Sequence, residues 1–251
     1  MRMKAIITDL DRTLLHTDKS ISDYTAGVLK QCRKRGIFVM TASARPLRDI
    51  REYRKQVVFD AVTATNGAVI ELPDRRLEYG IRRESGERIL EGLLKFPDVF
   101  LSIETSGGLY SNRDIPVWKP VIYEDFPKLP DKVVLYKILA SSGSRELYDH
   151  VREILTDDVY HTVANRELVQ IMSTEATKWN GVRQMLACFG ISPDEAVYFG
   201  DDNDDIEPIR NCGTGVAVAN AIPAVREAAD CVTDSNDSDG VARFIEENIL
   251  A

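Results

Sequence analysis

Apolar runs of strand length alternate with amphipathic stretches of helix length along this chain. The first run, Ala5 to Thr8, ends abruptly in Asp9-Leu10-Asp11-Arg12-Thr13, which carries two carboxylates two residues apart. Residues i and i+2 of a strand face the same way, so Asp9 and Asp11 are expected to leave the strand's carboxyl end into one small volume. Ser22-Asp23-Tyr24-Thr25 can cap a helix that runs through Val28, Leu29 and Cys32 and stops at Gly36. Ile37 to Ala42 predicts a second buried strand that ends in Ser43-Ala44-Arg45-Pro46, with Pro46 suited to the first turn of a helix. Asp60 to Thr65 supplies a third strand. Asn66-Gly67 breaks it, and residues 68–80 read as a hairpin about Pro73-Asp74-Arg75-Arg76.

The pattern changes near residue 82. A helix is expected from Glu84 to Phe96, a strand from Val99 to Thr105, a turn at Gly107-Gly108 and a strand at Leu109 to Ser111. An irregular, proline-containing stretch runs to Pro130. It is followed by a strand at Val133 to Ala140, a helix from Ser144 to Leu155, and strands at Val159 to Val163 and Leu168 to Met172. Such a unit reads as α+β with antiparallel pairing. From about residue 174 the strand–helix alternation returns: a helix near Thr177, a strand Ala196 to Phe199, a helix after Asp205, a strand Thr214 to Val218, and helices near 222–229 and 238–249 around Cys231 to Thr233. The expected fold is α/β: a Rossmann-like, doubly wound parallel-sheet core of residues 1–81 and 173–251, interrupted by an inserted α+β cap at 82–172.

Composition narrows the classes of function. The 251 residues are 44% hydrophobic and 29% charged, which fits an ordinary globular chain. No stretch approaches the roughly 20 apolar residues that span a bilayer, and no signal-peptide pattern precedes the first strand, so a cytoplasmic protein without membrane partners is expected. The net charge of −8 argues against nucleic acid as a partner. It leaves room for an anionic small molecule, because local cations or a metal can reverse the sign inside a cleft. Cys32, Cys188, Cys212 and Cys231 form no C-x-x-C pair and read as buried free thiols.

Ligands of open parallel sheets bind outside the strands' carboxyl ends. Four segments of the expected core bring polar chemistry to that edge: Asp9 with Asp11, Ser43, Lys178, and Gly200-Asp201-Asp202-Asn203-Asp204-Asp205. Alone, Ser43 would be a helix cap, Lys178 a solvated lysine and the acidic run a helix start. Together they supply a carboxylate nucleophile, a hydroxyl donor, a cation and a hard-metal site, the parts that phosphoryl transfer requires. Asp201-x-Asn203-x-Asp205 begins like a calcium loop but has Ile206 at the sixth position and Cys212 at the twelfth, which excludes an EF-hand.

In these motifs the chain resembles the haloacid dehalogenase-like hydrolases, and within them the Cof-type phosphatases with a large α/β cap after the third core strand. The resemblance rests on Asp9-Leu10-Asp11-Arg12-Thr13, Ser43 in Ala42-Ser43-Ala44-Arg45-Pro46, Lys178, and Gly200 to Asp205. Further marks are Thr65-Asn66-Gly67-Ala68, Gly215 to Ala221 and Asp239-Gly240-Val241-Ala242. It implies a phosphatase acting on a small phosphorylated metabolite, a sugar phosphate or phosphorylated cofactor. In that scheme Asp9 is the nucleophile that forms an aspartyl-phosphate and Asp11 the acid and base. Ser43 and Lys178 bind phosphoryl oxygens, and Mg²⁺ is held by Asp9, Asp11 through its backbone carbonyl and Asp201, with Asp205 directly or through water. The resemblance also places Leu10, Ala44, Arg45, Asn66, Gly67 and Asn220 around substrate or phosphate.

Two positions depart from the family pattern: Ala44 stands where glycine is usual, and Asp204 where asparagine is common, which leaves the role of position 204 open. A phosphomutase or phosphotransferase could use the same nucleophile, and a catalytically silent protein could use the pocket to sense a phosphate ester. A dehalogenase needs neither Asp11 nor the acidic cluster and is disfavoured. His16, His150 and His161 match no ligand spacing and are expected to be structural or solvated. Trp118, Tyr123 and Gly107-Gly108 read as packing and a turn. A monomer or small homo-oligomer is expected.

Overall fold

The computed structural model describes residues 3–142, 146–164 and 167–251. They divide into two compact units, one formed by the described residues up to 77 with 177–251 and the other by those between 78 and 176. The boundaries expected at 81/82 and 172/173 both fall four residues inside the second unit, because the turn after the hairpin and the segment before Lys178 pack with it.

The first unit is built on an eight-stranded sheet. Its strands are β1 (Ala5–Thr8), β2 (Phe38–Ala42), β3 (Ala61–Ala64), β4 (Val69–Glu71) and β5 (Arg76–Glu78). In chain order the second unit then contributes β6 (Phe100–Thr105), β7 (Gly108–Ser111), β8 (Val121–Ile122), β9 (Leu135–Ser141), β10 (Val159–Ala164) and β11 (Leu168–Ser173). The first unit completes its sheet with β12 (Ala196–Gly200), β13 (Thr214–Val218) and β14 (Cys231–Thr233). The order is β14-β13-β12-β1-β2-β3-β4-β5, parallel from β14 to β3, with β4 antiparallel to β3. The central strands β1 and β12 are buried at every position, as their continuous apolar runs require in a sheet covered on both faces.

The helices are α1 (Asp23–Lys34), α2 (Leu47–Ile50), α3 (Arg83–Leu93), α4 (Glu146–Ile154), α5 (Lys178–Cys188), α6 (Ile206–Asn211), α7 (Pro223–Ala228) and α8 (Gly240–Ile245). Ser22 caps α1 as expected, its hydroxyl accepting from the Thr25 N–H at 3.0 Å. α1 packs on β2 and touches α8, whereas α5 packs on β2, β3 and β4 and touches α6. Pro46 precedes the single-turn α2 and does not open it.

In the second unit the sheet order is β10-β11-β9-β6-β7-β8, antiparallel except for β7 with β8. Ile89, Leu90 and Leu93 of α3 and Leu147 and Val151 of α4 bury one sheet face built from Leu101, Ile103, Ile138, Val169 and Ile171. The expected start of α4 at Ser144 lies outside the described residues. Trp118 lies against Phe100, and Tyr123 makes edge contacts with Tyr110 and Phe126, so both aromatics pack within this unit. All four cysteines are free, but only Cys32 and Cys212 are buried, Cys188 and Cys231 being partly exposed; no helix among the described residues is long and apolar enough to cross a membrane.

Candidate active site

Asp9 follows β1, Ser43 follows β2 and Asp201 follows β12. These strands are parallel neighbours, with Thr8 opposite both Thr41 and Phe199. The register delivers the three side chains side by side at the carboxyl edge of the sheet. Lys178 comes from the first residue of α5, whose start is fixed by the Thr177 hydroxyl accepting from the Asn180 N–H at 3.0 Å. Gly67 lets this helix start close in: its φ is +104°, and a Cβ there would lie 2.1 Å from the Thr177 carbonyl oxygen. Gly67 therefore makes room for the start of α5.

The ammonium of Lys178, 3% exposed, lies 2.9 Å from Asp9 Oδ1, 2.7 Å from Asp205 Oδ1 and 3.1 Å from Asp204 Oδ1. Asp205 Oδ1 accepts from Lys178 and from the Tyr198 hydroxyl at 2.6 Å, and its Oδ2 accepts from the N–H groups of Asp201 and Asp202 at 3.0 and 3.1 Å. Gly200 permits this inward fold, since a Cβ there would fall 2.4 Å from the Asp205 Cβ. Asp204 holds Lys178 with one oxygen and accepts from Asn66 Nδ2 at 2.6 Å with the other.

The charge balance is negative. Oxygens of Asp9, Asp201 and Asp205 lie within 4.8 Å of one another, and Lys178 is the cation buried among them. Burial, reinforced by the neighbouring carboxylates and only partly opposed by Lys178, pushes Asp9 well above the usual carboxylate range. Burial and the charge of Asp205 push Asp201 up to about 7. Burial by itself would lower Lys178, but the surrounding carboxylates hold it well above its ordinary value, so it stays charged. Buried carboxylates short of positive charge, with oxygens converging, suit a hard divalent cation.

Asp11 is placed differently from Asp9. Its carboxylate is 37% exposed and receives Arg45 Nε at 2.5 Å, Arg45 Nη2 at 2.7 Å and Lys19 Nζ at 2.7 Å. Burial opposes ionisation, but the hydrogen bonds from Arg45 and Lys19 outweigh it and hold Asp11 below the usual range. Arg45, expected at the phosphate, instead forms a two-pronged ion pair with Asp11 and lies over the Tyr53 ring. The Ser43 hydroxyl accepts from the Arg45 N–H at 3.2 Å, and its own proton has no acceptor among the described residues. Ala44 follows Ser43 in that turn and is exposed, and the Leu10 side chain is fully buried. Asn220 is occupied as a brace: its Nδ2 donates to the Arg12 carbonyl at 2.8 Å and its Oδ1 accepts from the Asn236 N–H at 2.9 Å. His16 pairs with Asp239 at 3.0 Å and His150 lies against Phe96 and the Gly92 carbonyl, both in structural roles.

Three contributors escape a reading of the sequence. Thr13, 1% exposed, donates to Asp201 Oδ1 at 3.1 Å, although it stands within the first motif. Lys19 reaches Asp11 across a turn closed by the Lys19 N–H to the His16 carbonyl. Tyr198 looks like one more core aromatic; the signal is that a tyrosine in a strand buried on both faces needs an acceptor for its hydroxyl.

A profile of haloacid dehalogenase-like hydrolases matches residues 6–245. YxeH of Bacillus subtilis (strain 168), whose name marks it as a candidate phosphatase, is 29% identical over 99% of both chains. The 5-amino-6-(5-phospho-D-ribitylamino)uracil phosphatase YitU of the same organism is 26% identical over 96% of both. The crystal structure of TM0651 from Thermotoga maritima superposes with a TM-score of 0.85 at 26% identity, covering 98% of this chain and 97% of that one.

Proposed function

The chain belongs to the haloacid dehalogenase-like hydrolases and is a phosphatase of that family; from that membership we propose that it is a Mg²⁺-dependent hydrolase of a small phosphorylated metabolite, acting through an aspartyl-phosphate on Asp9. The substrate class is a sugar phosphate or a phosphorylated cofactor, in keeping with the ribityl phosphate in the name of YitU. The observation that carries this reading is the buried contact of Lys178 with Asp9 at 2.9 Å, beside an Asp11 that is half exposed and separately held. Two carboxylates two residues apart thus have environments suited to different work.

Asp9 attacks phosphorus, the bond to the ester oxygen breaks, and Asp11 gives its proton to the leaving alkoxide. Asp11 then takes a proton from water as the water oxygen attacks the same phosphorus, and the bond to Asp9 breaks to release phosphate. The ionised Asp11 that Arg45 and Lys19 hold is the form required for this second step. For the first step it must carry a proton, which the unfilled lone pair of Oδ2 can take. Ser43, with a free hydroxyl proton, and Lys178 bind the phosphoryl oxygens where charge develops. Asp9, the Asp11 carbonyl and Asp201 would hold Mg²⁺, which supplies positive charge to the carboxylates and the phosphoryl group. Asp205, whose oxygens also hold the Asp201 loop and Lys178, would reach the ion directly or through water. Residues 78–176 act as the substrate-selecting cap.

Asp11→Asn should lower kcat for an alkyl phosphate by about 10²–10³ and for 4-nitrophenyl phosphate by far less, since only the alkoxide needs a proton to leave. Equal losses on both esters would count against the acid role. Release of inorganic phosphate from a metabolite panel, with and without EDTA, tests the reading as a whole.

A second expectation concerns metal and pH. The folded-state pKa of Asp201 is raised to about 7. Its contribution to stability is therefore full below the unfolded value near 4 and is lost as pH rises through 7. Metal-free protein should melt at a lower temperature at pH 8 than at pH 5. Millimolar Mg²⁺ should raise the melting temperature at pH 8 and change it little at pH 5, where the ligands hold protons. Scanning calorimetry in EDTA and in Mg²⁺ measures both, and equal gains at the two pH values would contradict the site.

A further inference from the structure

Arg12 sits in the middle of the first motif with φ at +60° and ψ at 11°, a left-handed conformation that glycine takes freely and an arginine does not. The fold maintains it deliberately: the Asn220 amide is committed to the Arg12 carbonyl at 2.8 Å, and Asn236 in turn fixes Asn220. Bracing of the carbonyl fixes the turn, and with it the direction in which the Arg12 side chain leaves the backbone.

The guanidinium is also the loosely held cation of this cluster. Lys178 is buried against three carboxylates, and Arg45 and Lys19 are tied to Asp11 at 2.5 and 2.7 Å. Arg12 is 59% exposed; among the described residues its polar side-chain contacts are a 3.4 Å hydrogen bond from Nη2 to the Asn220 carbonyl and a 3.9 Å approach of Nε to Asp201 Oδ2. Its planar fork of donors is thus available to an oxyanion. The transferred phosphoryl group belongs at buried Asp9 and Lys178, whereas Arg12 lies at the exposed side of Asp201.

Resting on the phosphatase reading above, we propose that Arg12 is a specificity-determining residue that binds a second anionic group, a carboxylate or a second phosphate, on the alcohol half of the phosphate ester. The matched pair 3-phosphoglycerate and glycerol 3-phosphate differs in a carboxylate against a hydroxymethyl group, and fructose 1,6-bisphosphate against fructose 6-phosphate gives the phosphate arm. Wild-type enzyme should show a higher kcat/KM for the doubly anionic member of at least one pair. Arg12→Gly should cut that ratio by about tenfold or more, the scale of a charge-assisted contact, and Arg12→Lys should keep part of it. Glycine suits the backbone, so the variant should melt no lower than wild type. A ratio unchanged by Arg12→Gly, or no preference in either pair, overturns the proposal. Asp9→Asn in the same assays separates the two readings: if it keeps the wild-type rate the phosphatase mechanism fails, and if it is inactive while the ratio is insensitive to Arg12, only the present inference fails.

Discussion

Replacing Asp9 by asparagine should abolish phosphate release from every ester, activated or not, with a loss of roughly 10⁴–10⁶ in kcat, as removal of a covalent nucleophile does in other enzymes. The fold should survive. Asn keeps the shape of the side chain and an oxygen that can accept from Lys178, whose ammonium remains paired with Asp204 and Asp205. Moreover, burial and three neighbouring carboxylates disfavour a charge at position 9, so removing it in the metal-free protein relieves repulsion. Metal-free Asp9→Asn should therefore melt at or above the wild-type temperature at pH 8. Activity assays with 4-nitrophenyl phosphate and with an alkyl phosphate, alongside thermal melts in EDTA, give both outcomes. Retained turnover would remove Asp9 from the mechanism, and a large drop in melting temperature would show that its charge stabilises the fold.

The strand ends and their residue types were legible because they rest on local rules. An apolar run followed by Asp9, and another followed by Ser43, mark parallel strands whose carboxyl edges must coincide once the crossovers form. The family profile over residues 6–245 and the parallel order around β1 agree with that reading. What could not be read is how each polar atom is spent. Asn220 and Gly67 stand in motifs that border the site, yet one braces a strained turn and the other makes room for the start of α5. Arg45 has the charge for a phosphate but meets Asp11, because the loop after β2 brings it there and Lys19 reaches the same carboxylate from another turn. Tyr198 is the reverse case, an apparently ordinary core residue whose hydroxyl completes the shell of Asp205. Periodicity specifies which face a residue occupies, whereas hydrogen-bond partners depend on the rotamers and loop turns that packing selects.

The placement of Lys178 leads to the other large effect. Lys178→Met conserves volume and helix propensity but removes the ammonium from beneath Asp9, Asp204 and Asp205. Taking one partner from a buried ion pair leaves an uncompensated charge and costs about 3–5 kcal/mol. The raised pKa of Lys178 means that its own contribution is full at every pH below its unfolded value near 10, so it does not vary between pH 5 and 8 in the wild type. In the variant the carboxylates carry the pH dependence: without the ammonium they retain protons to higher pH, and stability should fall more steeply from pH 5 to pH 8 than in the wild type. Denaturant midpoints in EDTA at the two pH values measure this, and a variant as stable as wild type at pH 8 would show that the lysine is not the counter-charge of the cluster. Mg²⁺ should recover much of the lost stability, because another cation then balances Asp9 and Asp201. It should not recover turnover, which should stay about 10²–10³ below wild type, since no donor replaces the ammonium at the phosphoryl oxygens. Lys178→Arg should not rescue either property, because a guanidinium is wider and flatter than the site that encloses an ammonium at 3% exposure.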